Sequence, residues 1–311
     1  MINRIIYLLW ILVNTMSGFS QSGVSNNDIK PTVLGGKLEN PYSVDNMRKA
    51  YANKRASVIN FPKMDIRANH LYVRFLPKNE EELEKLYAHE SEDFILFDHP
   101  LDYEIAEQGN FYHDPTISKD KPTWLYTVVK SNYTKPADIV NVQYEKLEDV
   151  FLPPDADQAS NASQKAVIEA QEVYYELLED EALEITNNLD SEDSNGSAGR
   201  SSKYRPSGRI SIDTGTGTEG GPNVTVRVRR WVKTSFGTTD NQGNFSIHKR
   251  FRKKVNFGVI YKNDNAKILA GPLDYNYVLY GGAFFNGPKA HHWHPVSSRG
   301  ASSNEWGGNM R

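Results

Sequence analysis

Residues Gly208–Lys262 read GRISIDTGTGTEGGPNVTVRVRRWVKTSFGTTDNQGNFSIHKRFRKKVNFGVIYK, and this stretch decides the fold of the C-terminal half. Val224, Val226 and Val228 alternate with Thr225, Arg227 and Arg229, the period-2 pattern of a strand with one buried face. Val255, Phe257, Val259 and Tyr261 repeat it, and Ile210/Ile212 and Phe245/Ile247 make shorter versions. Gly215–Pro222 and Thr239–Gly243 supply turns between them. Short strands at this spacing predict an antiparallel β-sandwich over 205–280, with Val226, Val228, Phe245, Val255, Phe257 and Val259 in its core.

The same residues carry a likeness. Gly208-Arg-Ile-Ser-Ile-Asp213, Pro222, the valine strand and Thr239-Asp240-x-x-Gly243-x-Phe245 together resemble the carboxypeptidase regulatory-like domain, over about 60 of the 311 residues. That resemblance implies a transthyretin-like Greek-key sandwich serving as an accessory, non-catalytic module. The sequence departs from the family pattern in the Gly/Thr insertion Gly215–Gly221 and in the basic segment His248–Lys254. The turn chemistry agrees with it: Asp240 and Gly243 suit a tight hairpin, and Phe245 enters the core as the next strand begins.

Outward from this stretch the chain reads as a multi-domain α+β protein. Met1–Arg4 is a short basic start, Ile5–Val13 an apolar run, and Gly18-Phe19-Ser20 precedes Gln21, the pattern of a secretory signal peptide over 1–20 cleaved near Ser20-Gln21. The apolar run is too short for a comfortable membrane span. Residues 21–152 form a small α+β module. A helix is expected over Val44–Ser57, a strand over His70–Leu76, and a helix over Asn79–His89 with Asn79 as N-cap and glutamates in its first turn. Further strands are expected over Phe94–Phe97 and Trp124–Val129, an order compatible with a ferredoxin-like unit. Pro153-Pro154 mark a boundary. Residues 153–186 hold a long acidic helix, Ser163–Ile185, with Val167, Ala170, Val173/Tyr174, Leu177/Leu178 and Ile185 as its apolar stripe. Residues 187–204 are a Ser/Gly/Asp linker and 281–311 an irregular tail, with Tyr275, Tyr277 and Leu279 offering an edge strand before it.

Composition narrows the chemistry. Cysteine is absent, which removes disulfides, thiolate metal sites, a cysteine nucleophile and a lipoprotein anchor. A secreted or periplasmic location in a bacterial envelope fits such a chain. Charge is divided: Asn141–Asp193 holds fifteen Asp/Glu against two Lys, and Lys203–Lys262 thirteen Lys/Arg against three Asp/Glu. The overall net of −3 therefore hides a local −13 beside a local +10. Either these are two solvated faces, or the acidic helix 163–185 docks on the basic face of the sandwich.

Arg227, Arg229, Arg230, Lys249, Arg250, Arg252, Lys253 and Lys254, with Trp231 and Phe251 interleaved, are the candidate binding residues. Their charge suits nucleic acid, but secretion favours an anionic polysaccharide, an anionic membrane surface or a protein partner; a basic face with no dedicated ligand is the alternative. For metal, His292 and His294 stand at i, i+2 in an extended segment, and His89 and Glu92 match an H-x-x-E zinc spacing at the end of a surface helix. Neither has the company a site needs, and no cofactor is expected. H-E-x-x-H, G-x-S-x-G, P-loop and Rossmann fingerprints are all missing. The Gly215–Gly221 run opens no helix and is read as a long hairpin loop. The chain is thus expected to be a secreted, non-catalytic binding or scaffolding protein. The alternative is the N-terminal accessory portion of a secreted metallopeptidase-type hydrolase whose catalytic domain lies outside this sequence.

Overall fold

A computed structural model describes residues 31–107, 109, 111–156, 159–188, 204–213, 217–251 and 255–260, together with the backbone of four short strands between 269 and 293. The expected signal peptide, most of the linker, and Arg252, Lys253, Lys254 and His294 lie outside the described residues. No helix among the described residues is long and apolar enough to cross a membrane.

Among the described residues the fold is α+β, with three α-helices and several mainly antiparallel sheets. In chain order the N-terminal region contains β1 (Val33–Lys37), α1 (Val44–Ser57), β2 (His70–Leu76), α2 (Glu80–Ala88), β3 (Tyr103–Glu107), β4 (Leu125–Lys130), β5 (Gln143–Val150) and α3 (Ala162–Ile185). Each helix starts on a side-chain cap. Ser43 Oγ accepts from the Asn46 amide at 3.1 Å, Asn79 Oδ1 from Glu82 at 3.0 Å and Asn161 Oδ1 from Gln164 at 2.8 Å. In α2 the three glutamates sit at the positive end of the helix dipole.

Strands β2, β4 and β5 form a three-stranded sheet in the order β4-β2-β5, antiparallel throughout. The β-α-β-β-α-β order of a ferredoxin-like unit gives a four-stranded sheet, and this sheet has three strands. Both faces of the sheet are covered. Val73, Phe75, Leu125 and Val129 pack with Leu83 and Leu86 of α2. Tyr72, Tyr126, Val128 and Val150 look the other way, toward Met47 and Ala50 of α1 and Leu178 and Ala182 of α3.

Phe94–Phe97 is not a strand of this sheet. It makes only isolated bridges, Ser91 with Phe94 and Phe97 with Tyr126. All four side chains are buried, but Phe94 and Leu96 join the α2 core while Ile95 and Phe97 join the α1–α3 core. The run is apolar on both sides because an extended segment threads between two cores. A two-stranded ribbon, β1 with β3, has no counterpart among the elements expected from the sequence.

Helix α3 rests on α1. The Tyr42 hydroxyl donates to Glu179, the Lys54 ammonium lies 2.6 Å from Glu181, and the Phe61 and Tyr174 rings meet edge-on at 5.3 Å. Its buried positions are Ile168, Leu178, Glu179, Ala182 and Leu183, while Val167 and Val173 of the expected stripe are exposed. The 14-residue α1 cannot cover the whole of the 24-residue α3, so the apolar contact concentrates in the C-terminal part.

The C-terminal region contains β6 (Ser207–Asp213), β7 (Thr218–Gly220), β8 (Thr225–Arg230), β9 (Lys233–Thr238), β10 (Asn244–Ser246), β11 (Asn256–Ile260), β12 (Leu269–Ala270), β13 (Tyr275–Asn276), β14 (Val278–Gly281) and β15 (Ala290–Trp293). One sheet runs β10-β6-β15 with β7 also on β6, the other β14-β11-β8-β9. Side chains of both, Ile210 and Phe245 with Val226, Val228, Val255, Phe257 and Val259, share one buried cluster, and the six core residues expected from alternation are all in it. The Gly-rich insertion folds back as β7 on β6 instead of forming a plain loop, and the tail read as irregular places β15 parallel to β6.

The T-D-x-x-G-x-F turn explains its own residues. Asp240 Oδ1 accepts from the amides of Gln242 and Asn244 at 2.9 and 2.8 Å, and Thr239 Oγ1 donates to Gly221 at 2.6 Å. Gly243 has φ +81°, and a Cβ there would lie 2.1 Å from the Ile210 carbonyl oxygen.

Candidate functional site

The two regions meet along a seam built by the β8–β9 hairpin. Pairing of Arg230 with Lys233 leaves Trp231-Val232 as a two-residue turn. Trp231 takes φ +54°, a left-handed conformation that a bulky side chain adopts only at a cost. The contacts that hold it there are those of the tip: Val232 is 1% exposed within the α1–α3 core, and Trp231 and Phe236 pack half-buried beside it.

Strand alternation decides what else reaches the seam. Val226 and Val228 face the C-terminal core, so Arg227 and Arg229 face away from it, toward Leu96–Leu101. Arg227 is 4% exposed; its Nη1 donates to the Leu96 carbonyl at 2.7 Å, and its guanidinium carbon stands 4.3 Å above the Phe97 ring. Arg229, 8% exposed, donates to the Leu101 carbonyl at 3.1 Å. Beside them His99 is buried against Asp98, Nδ1 to Oδ1 at 2.7 Å, and the other Asp98 oxygen accepts from the Tyr112 amide at 2.6 Å. Burial holds the His99 imidazole below the ordinary histidine range; Arg229 and Arg227 push the same way and Asp98 opposes them.

The basic residues expected to form one outward face are therefore divided. Arg227 and Arg229 are inside the seam and closed to a soluble anion. Arg250 turns to the acidic part of the chain: its Nη2 is 3.8 Å from Asp155 and 3.6 Å from Glu172 of α3. Arg230 is half-buried at the end of β8. The His248 ring lies tilted against Phe236, centroids 5.2 Å apart, and meets Glu92 at 3.3 Å.

Of the metal candidates, His89 and Glu92 are not brought together. His89 Nε2 contacts Asp138 at 2.8 Å, while Glu92 turns to His248, so the H-x-x-E pair serves two separate contacts. His292 sits in β15 opposite Arg209. Among the described residues no group of three or more His, Cys, Asp or Glu is placed to hold a metal ion.

Behind the hairpin, a small cleft, partly open to solvent and with room for about one water molecule, is lined by His70, Glu92, Asp93, Lys130, Thr234 and Lys249. Lys130 Nζ pairs with Asp93 at 2.6 Å. Burial first, then the charges of Lys249 and Lys130, hold His70 down at about 4. Burial likewise draws the Lys249 ammonium below the ordinary lysine range, helped by Lys233 and opposed by Asp93, Glu92 and Asp155. Of these groups only Lys249 and Glu92 stood out in the sequence, the first as one cation in a basic run and the second in an H-x-x-E spacing. The readable signal for the seam was FILFDHP, an apolar run too continuous for a strand with one wet face.

No protein-family model matches the chain, and no curated protein is similar to it. Among solved structures, a crystal structure of (S)-allantoin synthase is similar over 45% of this chain and 57% of that chain, at 10% identity and a TM-score of 0.24. So slight a likeness carries no argument about fold or activity.

Proposed function

We propose that this is a secreted, non-catalytic binding or scaffolding protein of a bacterial envelope, in which a carboxypeptidase regulatory-like β-sandwich is clamped to an α+β N-terminal module. The observation that carries the reading is the insertion of Arg227, Arg229 and Val232 into the N-terminal side of the seam. Buried arginines bound to main-chain carbonyls join two parts into one rigid body, which suits presentation of a surface. The single buried cluster shared by two four-stranded sheets supports the sandwich, and the basic run supports an anionic partner. With Arg227 and Arg229 committed to the seam, the partner's charge falls to Arg252, Lys253 and Lys254.

The test is binding of the secreted chain to immobilised heparin at low salt, compared with a variant in which Arg252, Lys253 and Lys254 are all serine. Weaker, less salt-sensitive binding by the variant is expected, since exposed charge pairing is screened within about 10 Å at 0.1 M salt. Equal binding by the two proteins refutes the anionic-partner reading. Mass spectrometry of the exported protein is expected to find Gln21 at its N-terminus, and an intact Met1 refutes export by a cleaved signal.

A further inference from the structure

The basic run opens with three residues that acids of the N-terminal region meet one after another. His248 lies 3.3 Å from Glu92. Lys249 lines the small cleft whose wall holds Glu92 and Asp93. The Arg250 guanidinium is 3.8 Å from Asp155 and 3.6 Å from Glu172, and the Arg250 amide donates to the Asp155 carboxylate at 3.4 Å. These acids come from three separate stretches: the turn after α2, the residues after Pro153-Pro154, and α3. Phe251, 1% exposed and bridged to Tyr204, anchors the segment in the sandwich. The seam holds the sandwich against the N-terminal region, so Asp155 and Glu172 face Arg250 at high effective concentration. The side chains of Arg250 and Glu172 are nevertheless 26% and 24% exposed. Water reaches this pair, and so can a competing anion.

We propose, resting on the anionic-partner reading above, that Asp155 and Glu172 are a built-in competitor for the protein's ligand, a polyanionic polysaccharide. Both sources offer oxyanions to the same guanidinium, so each weakens the hold of the other. Bound polysaccharide draws Arg250 off α3, and the lost internal contact lowers the ligand's affinity. By linkage the reverse also holds: weakening the internal pair tightens the ligand. The competition also selects for charge density. A ligand with one isolated carboxylate meets two carboxylates already in place, whereas a polymer brings many anionic groups at once and displaces them.

The experiment measures binding of the full chain to heparin at low salt. The proteins are the wild type, Glu172→Gln, Arg250→Gln, the double variant and Glu169→Gln. The last is the charge-matched control, one turn earlier on α3, where Glu169 pairs with Lys165 of its own helix at 3.9 Å. Glu172→Gln is expected to bind about two- to fivefold tighter than the wild type, the range for releasing one partly exposed ion pair, and Glu169→Gln to gain less. In the Arg250→Gln background the gain from Glu172→Gln is expected to vanish. Equal affinities for Glu172→Gln and Glu169→Gln overturn the competition and leave the Arg250 contact purely structural. That comparison stands without the Arg250 variant, should its loss loosen the seam. A gain from Glu172→Gln that persists without Arg250 overturns it too, as plain relief of negative charge. If none of the five proteins binds heparin, the anionic-partner reading falls and the competition with it. If the wild type binds more tightly than the Arg252, Lys253 and Lys254 serine variant while Glu172→Gln and Glu169→Gln stay equal, the competition alone falls.

Discussion

Replacing Arg227 by Met probes the seam most directly. The substitution keeps a long apolar stem in the same space and removes the guanidinium. At least two contacts then disappear. The Leu96 carbonyl loses its donor at 2.7 Å, and an unpaired buried acceptor costs about 1–3 kcal/mol. The guanidinium 4.3 Å from the Phe97 ring also goes, removing a further 0.5–2 kcal/mol or so. Against this stands the relief of no longer desolvating a cation that is 4% exposed. A net loss of about 2–4 kcal/mol follows. In urea unfolding, with m near 3 kcal/mol/M, the midpoint is expected to fall by about 1 M. A double-mutant cycle with Phe97→Leu separates the ring contact from the hydrogen bond, with an expected coupling of about 1 kcal/mol. A midpoint at or above that of the wild type refutes the clamp: the contacts of Arg227 would then do no more than offset its burial.

Three further outcomes are expected. Phe245→Ala, which empties a site 5% exposed beside Phe257, is expected to cost about 3–5 kcal/mol, and an unchanged melting temperature would sink the shared core of the two sheets. Gly243→Ala forces a side chain into φ +81° and against the Ile210 carbonyl; a loss of at least about 1 kcal/mol is expected, and a neutral result in thermal melts contradicts the turn geometry. The third outcome concerns pH. His70 titrates at about 4 in the folded chain against 6.5 for an unperturbed histidine, so the unfolded chain binds more protons between those values. Stability present above pH 6.5 is therefore lost as the pH falls through about 4, by up to about 3 kcal/mol from this residue, and His99 acts in the same direction. His70→Gln is expected to flatten the decline in urea midpoint between pH 7 and pH 4.5, and an undiminished decline in that variant excludes His70 as its source.

How far the sequence could be read depended on whether local pattern and tertiary burial told the same story. Val44–Ser57 and His70–Leu76 appear in the structure with the bounds that periodicity predicted, because their caps, breakers and apolar spacing agree with one another. Strand β9 was not legible. Lys233–Thr238 buries Thr234, Ser235 and Gly237 in place of large apolar residues. Gly237 is small because a Cβ there would come within 2.4 Å of the Ser246 carbonyl oxygen. That pattern comes from close strand approach, which has no signature in hydropathy.

The candidate site was hidden for a different reason. Alternation in TVRVRR correctly placed the valines in one core and the arginines on the opposite face. It could not tell whether that opposite face meets water or a second layer. The complementary clue lay about 130 residues earlier, in Phe94–Phe97, where four consecutive apolar side chains require covering on both sides. Half of that run finds its cover in α2, and the other half, Ile95 and Phe97, faces the core that receives Val232. A strand with charge on its outer face and a distant segment with excess apolar surface each look anomalous alone. Placed together they account for each other: the main-chain carbonyls of Leu96 and Leu101, left open by a segment that meets β4 only at the Phe97–Tyr126 bridge, need donors, and arginine is the side chain long enough to bring them from the neighbouring sheet.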